Sequence, residues 1–135
     1  MDYKKVTDQF AVAPQITIED VATIKALGYV AIINNRPDGE APGQPLIQDI
    51  KSQTLAQGMQ FIDLPIVSGT LPMEAIQQTK ATLDQIDGPV FAYCRTGTRS
   101  ITLWALSQIG TLDGQEISSC VNNAGYDLPF LAPYL

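Results

Sequence analysis

The chain has 135 residues, enough for one domain around a single core, and its 45% apolar and 16% charged composition is that of a folded protein. A net charge of −6 with only eight Lys and Arg argues against nucleic acid or an anionic membrane as partner, because phosphate contacts need clustered cations. Histidine is absent, which excludes His-ligated zinc, Ser-His-Asp triads and Cys-His pairs, and two cysteines, Cys94 and Cys120, do not make a disulfide framework.

The opening Met1-Asp2-Tyr3-Lys4-Lys5 leads into no apolar run of signal-peptide length, and no segment is long enough to span a bilayer; cytoplasm is the expected location. Phe10 to Ala13 reads as a short edge strand ending at Pro14. Thr17 caps a helix from Ile18 to Leu27, with Asp20 as its capping-box partner and Gly28 as the stop. Tyr29 to Ile33 is a β-rich run that breaks into the loop Asn34-Asn35-Arg36-Pro37-Asp38-Gly39.

A helix over 45–57 follows, closed by Gly58. Phe61 to Val67 reads as a strand, with Pro65 marking its end or an edge. From Pro72 to Ile86 the residues Ile76, Thr79, Leu83 and Ile86 share one helical face. Asp87-Gly88-Pro89 then turns the chain into Val90-Phe91-Ala92-Tyr93, apolar on both faces as a central parallel strand must be. The next helix carries Ile101, Leu103, Trp104, Ala105 and Leu106, with Trp104 as a core anchor. A further helix and an irregular end complete residues 113–135. Alternation of strands and helices predicts an α/β fold in three layers, with a central, mostly parallel sheet of four to five strands flanked by helices.

Cys94 stands out by position. It ends the most buried strand, at the sheet edge where α/β proteins bind ligands, and a helix follows after Arg95-Thr96-Gly97-Thr98. Gly97 permits a backbone turn that aims N–H groups at one point, and the helix start adds about half a positive charge there. With Arg95 and Arg99 alongside, the thiol is expected to ionise below about 8.5 without histidine. The competing reading, a buried and inert cysteine, is the ordinary one for this residue type. The enzymatic reading therefore requires the sulfur to be reachable from solvent. Cys120 lies between Ile117 and Val121 and reads as core, with a resolving thiol as the alternative.

The run Tyr93 to Ser100 resembles the anion-cradling loop of protein tyrosine phosphatases and rhodanese sulfurtransferases. Together with Asn34 to Glu40, Leu64 to Gly69 and Gly125 to Leu128, it makes the chain similar to the phosphatase-like domain of the beta-lactamase-hydrolase-like proteins over nearly its whole length. The resemblance implies a protein-tyrosine-phosphatase-like fold over 1–135 as one domain. It also implies catalytic roles for Cys94 and Arg99, and an anion-binding loop of Arg95, Thr96, Gly97, Thr98 and Ser100.

Two departures bear on the reaction. Phosphatases of this fold carry His before the cysteine and five residues between Cys and Arg; here Tyr93 precedes Cys94, and four residues separate it from Arg99. Rhodaneses commonly use the shorter spacing, and a persulfide, one sulfur at about 2.05 Å, needs a smaller ring of donors than a phosphoryl group. The position of the family's general acid, three residues past Pro65, is Ser68, and a missing acid costs about 100- to 10,000-fold in rate. A sulfite or thiolate leaving group needs no such proton.

These departures lead to the expectation of a rhodanese-like sulfurtransferase working through a Cys94 persulfide. It would use no metal or cofactor, with a small-molecule sulfur donor, a thiol or sulfite acceptor and a persulfide dioxygenase as candidate partners. The alternatives are a phosphatase acting through a phosphocysteine, and a non-catalytic oxyanion- or redox-sensing module. Arg36, Asp38 and Ser68 are candidates for the cleft, although Arg36 and Asp38 also suit a surface contact with each other. Tyr126 and Asp127 either close over the site or, as expected for a tyrosine near the end of the sequence, pack against the body.

Overall fold

A computed structural model describes residues 1–135. Five strands, β1 (Lys4–Thr7), β2 (Phe10–Ala13), β3 (Ala31–Asn34), β4 (Gln60–Asp63) and β5 (Val90–Tyr93), form one sheet in the order β1-β2-β5-β3-β4. Only β1 runs antiparallel to its neighbour. The helices are α1 (Ile18–Ala26), α2 (Ile47–Ala56), α3 (Met73–Gln85), α4 (Thr98–Ser107) and α5 (Gly114–Asn123), followed by a 3-10 helix, Pro129–Tyr134.

The period-two alternation of the strands builds the layers. Phe10, Val12, Ala31, Ile33, Val90 and Ala92 face one side and pack with Ala75 of α3, Ile101 to Leu106 of α4, and Ile117 and Val121 of α5. Ala11, Ala13, Ile32, Phe91 and Tyr93 face the other, against Val21 and Ile24 of α1 and Ile50 of α2. Trp104 stacks on Phe10 with ring centroids 6.1 Å apart, a core anchor as its spacing suggests. The helix face through Thr79 holds too: Thr79 is buried, while Ile76, Leu83 and Ile86 pack partly covered against the first cluster.

Phe10–Ala13 is not an edge strand. It lies between β1 and β5, because the polar stretch Lys4-Lys5-Val6-Thr7 pairs with it and takes the edge. Lysines suit an edge, and their presence hid this strand from a hydrophobic-pattern reading. β4 ends at Asp63 rather than Val67; Pro65 has no N–H for a ladder, although the Leu64 and Ile66 N–H groups on either side of it still donate to the Asn34 and Asn35 carbonyls. Helix α1 starts at the capping box of Thr17 and Asp20, both halves of which are formed.

One feature of the topology positions the site. The connection after β3 goes to α2 on one face, whereas the connection after the adjacent β5 goes to α4 on the other. Two loops therefore leave neighbouring strand ends, where Asn34 pairs with Tyr93, for opposite faces of the sheet, and ligands of open α/β sheets bind at such a switch point. No helix is long and apolar enough to cross a membrane.

Candidate active site

Cys94 follows β5, and its backbone N–H still donates to the carbonyl of Ala13 on β2 at 3.3 Å. The chain then arches through Arg95 and Thr96 to Gly97, which sits at φ +90° as the N-cap of α4. That left-handed conformation suits glycine alone among the loop residues. Across the arch the Gly97 N–H donates to Cys94 Sγ at 3.1 Å.

The other donors of this loop are unspent. The N–H groups of Arg95 and Thr96 meet no acceptor in the protein. Helix α4 has no side-chain cap, so its first-turn N–H groups also lack a partner. Unsatisfied donors converging with a helix dipole are a ready seat for an anion. Beside the loop opens a cavity of about 640 Å³. Its walls are apolar at Ile66, Leu71 and Phe130, hydroxyl-bearing at Ser68, Thr70, Thr96, Thr98 and Thr102, and cationic at Arg95 and Arg99, with no carboxylate.

Arg99 does not point freely into this space. Its Nη1 donates to Glu40 Oε2 and to the Ile66 carbonyl, both at 2.9 Å, and its Nη2 donates to Glu40 Oε1 at 2.8 Å. Glu40 Oε1 also accepts from Arg36 Nε at 2.9 Å. Hydrogen bonding from Arg99, and then from Arg36, holds the Glu40 carboxyl down at about 2 against a desolvation cost that pushes it up. Glu40 in turn raises Arg99, with a further contribution from charge on Cys94. A bidentate carboxylate is the partner a guanidinium fork fits best, so Glu40 fixes where the fork sits.

The cavity brings several of the sequence candidates together. Arg95, Thr96, Thr98, Arg99 and Ser68 all line the cavity. Others need correction. Ser100 does not belong to the anion loop: it is buried and donates to Asn35 Oδ1 at 2.8 Å, because the first turn of α4 rotates it toward the loop after β3. Asp38 is exposed and accepts from the Ile47 N–H at 2.9 Å, so it caps α2 instead of meeting Arg36 or the cleft. Arg36 is buried against Glu40 and Gln15.

The sharpest departure concerns the nucleophile itself. Cys94 has 0% of its surface exposed, whereas the sequence argument required a reachable sulfur. Arg95 and Thr96 beside it are exposed, whereas Gly97 is buried with it, so a substrate reaches the sulfur only when the loop opens. Cys120 is only partly buried, packed at the margin of the core. Two residues given no role by the sequence, Glu40 and Gln15, also reach the site, as does Tyr126. Glu40 and Gln15 are polar loop residues with no local signature. Tyr126 donates its hydroxyl to the Thr96 carbonyl at 2.9 Å, against the expectation that it merely packs. No group of three or more His, Cys, Asp or Glu converges in a way that could hold a metal.

Comparison with known proteins bears on this geometry. Residues 2–111 match the family described as "Beta-lactamase hydrolase-like protein, phosphatase-like domain". A Beta-lactamase hydrolase-like protein of Agrobacterium fabrum is 34% identical over 126 residues, and one of Xylella fastidiosa 27% over 125. These alignments take in 92% and 91% of this chain, yet the chain spans only 29% of the length of either relative. Among solved structures, a candidate phosphatase of Neisseria meningitidis superposes with a TM-score of 0.84 at 30% identity, covering 97% of this chain and 94% of that one. Kinase associated phosphatase, solved with its catalytic-site cysteine changed to serine, gives 0.72 at 13% identity over 86% and 75% of the two chains, which is likeness of fold alone.

Proposed function

The chain belongs to the phosphatase-like domain family of the beta-lactamase hydrolase-like proteins, and from that premise we propose that it is a cysteine-dependent phosphatase-type enzyme with Cys94 as nucleophile. The observation that carries the reading is the loop. The sulfur accepts one N–H, while the Arg95, Thr96 and α4 first-turn donors have no partner in the protein and would receive the oxygens of a phosphoryl group once the loop admits it. In the proposed step the Cys94 thiolate attacks phosphorus. The S–P bond forms, the P–O bond to the leaving group breaks, and water then hydrolyses the phosphocysteine to release phosphate and restore the thiolate.

Arg99 supports the equatorial oxygens in this reading, held in range by Glu40. Serine at 68 and a cavity wall without carboxylates leave no positioned acid. The substrates this arrangement serves are those whose leaving oxygen departs unprotonated, such as aryl phosphates.

Two observations favour a second reading, sulfur transfer. The four-residue spacing from Cys94 to Arg99 and the missing acid both suit attack on the outer sulfur of thiosulfate, in which an S–S bond forms and sulfite leaves. Exposing the protein in parallel to an aryl phosphate and to thiosulfate, and weighing the Cys94 peptide, separates the two. Phosphoryl gain with phosphate release, both absent in Cys94→Ser, is the expected result. Gain of one sulfur instead replaces the phosphatase reading with the second, and neither adduct removes both.

A further inference from the structure

Tyr126 reaches the loop of Cys94 from the far end of the sequence. Helix α5 ends at Ala124, and Gly125, at φ +91°, turns the chain back so that Tyr126 reaches the β5–α4 arch. Its hydroxyl donates to the carbonyl of Thr96 at 2.9 Å. That carbonyl and the N–H of Gly97 belong to the same peptide group. In a trans peptide the two point in opposite directions, and the chain contains no cis bond. The Gly97 N–H is the group that donates to Cys94 Sγ at 3.1 Å. One rigid plane is therefore held at both ends, by a phenol on the outside and by the sulfur within.

We propose that Tyr126 is a positioning residue for Cys94, fixing the Thr96–Gly97 peptide with its N–H turned onto the sulfur. Three facts make the arrangement specific. Gly97 lacks the Cβ that would collide with the Tyr126 hydroxyl, so the loop glycine serves this approach as well as the turn. Burial, with charge on Cys94 and Asp2 adding to it, pushes the Tyr126 phenol up, which keeps it protonated and able to donate. The donor pulls electron density through the peptide it holds, so the far N–H becomes a better donor to a charged sulfur. Tyr126 is the one donor on the Thr96 carbonyl; the other bonds of the arch, from the Gln15 N–H to the Arg95 carbonyl at 3.3 Å and from the Ile101 N–H to the Gly97 carbonyl at 3.0 Å, lie on neighbouring peptides.

The inference rests on Cys94 being an ionisable nucleophile, and its test needs no turnover. Alkylation of wild type and Tyr126→Phe by iodoacetamide is followed at the Cys94 peptide by mass spectrometry across the pH range, with circular dichroism as the check on folding. The phenylalanine ring preserves the packing on Gly97 and removes only the donor. The midpoint of the pH profile reports ionisation of the sulfur, whereas the plateau rate reports access to it. In Tyr126→Phe the midpoint is expected to rise by about half a unit or more, the part of a charge-assisted hydrogen bond that a loosened donor forfeits. An unmoved midpoint overturns the proposal. If the plateau rises at the same time, Tyr126 is a lid over the sulfur and nothing more. A wild-type Cys94 that resists alkylation at every pH removes the nucleophile itself, and the proposal with it.

Discussion

The loops after β3 and β5 leave neighbouring strand ends and meet through the Arg99–Glu40 pair, yet their hydrogen bonding is opposite in kind. In the first, nearly every polar group is spent within the protein. Asn34 serves the Arg36 carbonyl and Asp63, Asn35 holds the Leu64 carbonyl, Arg36 takes Glu40 and Gln15, and Gln44 closes the turn on Pro37 and Glu40. In the second, backbone donors stand open and the sulfur has one partner. A satisfied loop is a scaffold that specifies one geometry, whereas an unsatisfied one stores capacity for a guest. Gln15 links them, with its backbone on Arg95 and its side chain on Arg36. Arg99 crosses between them.

That division is most severely tested at the crossing point. Arg99→Ala should lower kcat/KM for an aryl phosphate about 100- to 1,000-fold, the range for removing a preorganised donor from developing charge. The fold should survive, because Glu40 keeps Arg36. Arg99→Lys should recover little, since a point charge cannot reproduce the fork. Activity within a few-fold of wild type would return Arg99 to the scaffold and leave the open amides as the only anion site.

Glu40→Gln strikes the scaffold side of the same contact. It leaves two guanidinia with side-chain exposures of 5% and 12% facing a neutral amide. The expected cost at neutral pH is about 2–3 kcal/mol in urea unfolding, with a smaller loss of turnover than in Arg99→Ala. The sign with pH follows from the depressed carboxyl. Its contribution is complete above the ordinary value of 4.5 and is lost as pH falls toward about 2. Wild type and variant should therefore converge in stability over that window. A gap independent of pH would mean that the loss comes from packing rather than from the charge.

The two loops were unequally legible in the sequence for the same physical reason. Cys94, Gly97, Arg95 and Arg99 could be read because a strand, a glycine and a helix start fix the loop from its own neighbours. The partners of the satisfied loop could not: Glu40 meets an arginine 59 positions away, and Asn35 meets Ser100 across 65. Such pairings depend on β5 entering the sheet between β2 and β3, which local periodicity does not reveal. The lysine-bearing strand β1 was missed for lack of an apolar pattern, and the burial of Cys94 because spacing says nothing of what lies above a side chain. Tyr126 was legible as a residue that either closes over the site or packs, but not by its partner. Its target is a backbone carbonyl, and backbone carbonyls carry no sequence signature.

The finest test of the division is Asp38, which lies within the satisfied loop but far from the sulfur in its effects. Its Oδ1 accepts from the Ile47 N–H at 2.9 Å, and Leu46, the N-cap residue of α2, offers no side-chain acceptor of its own. Asp38 thus caps the helix from nine positions away, and a negative charge there also complements the helix dipole. Asp38→Ala should cost about 1 kcal/mol in urea unfolding. It should leave the Cys94 alkylation profile and the aryl phosphate turnover where they were, because no bond of Asp38 reaches Glu40, Gln15 or the arch. A fall in turnover larger than the loss of folded protein explains would show that the loops move as one body.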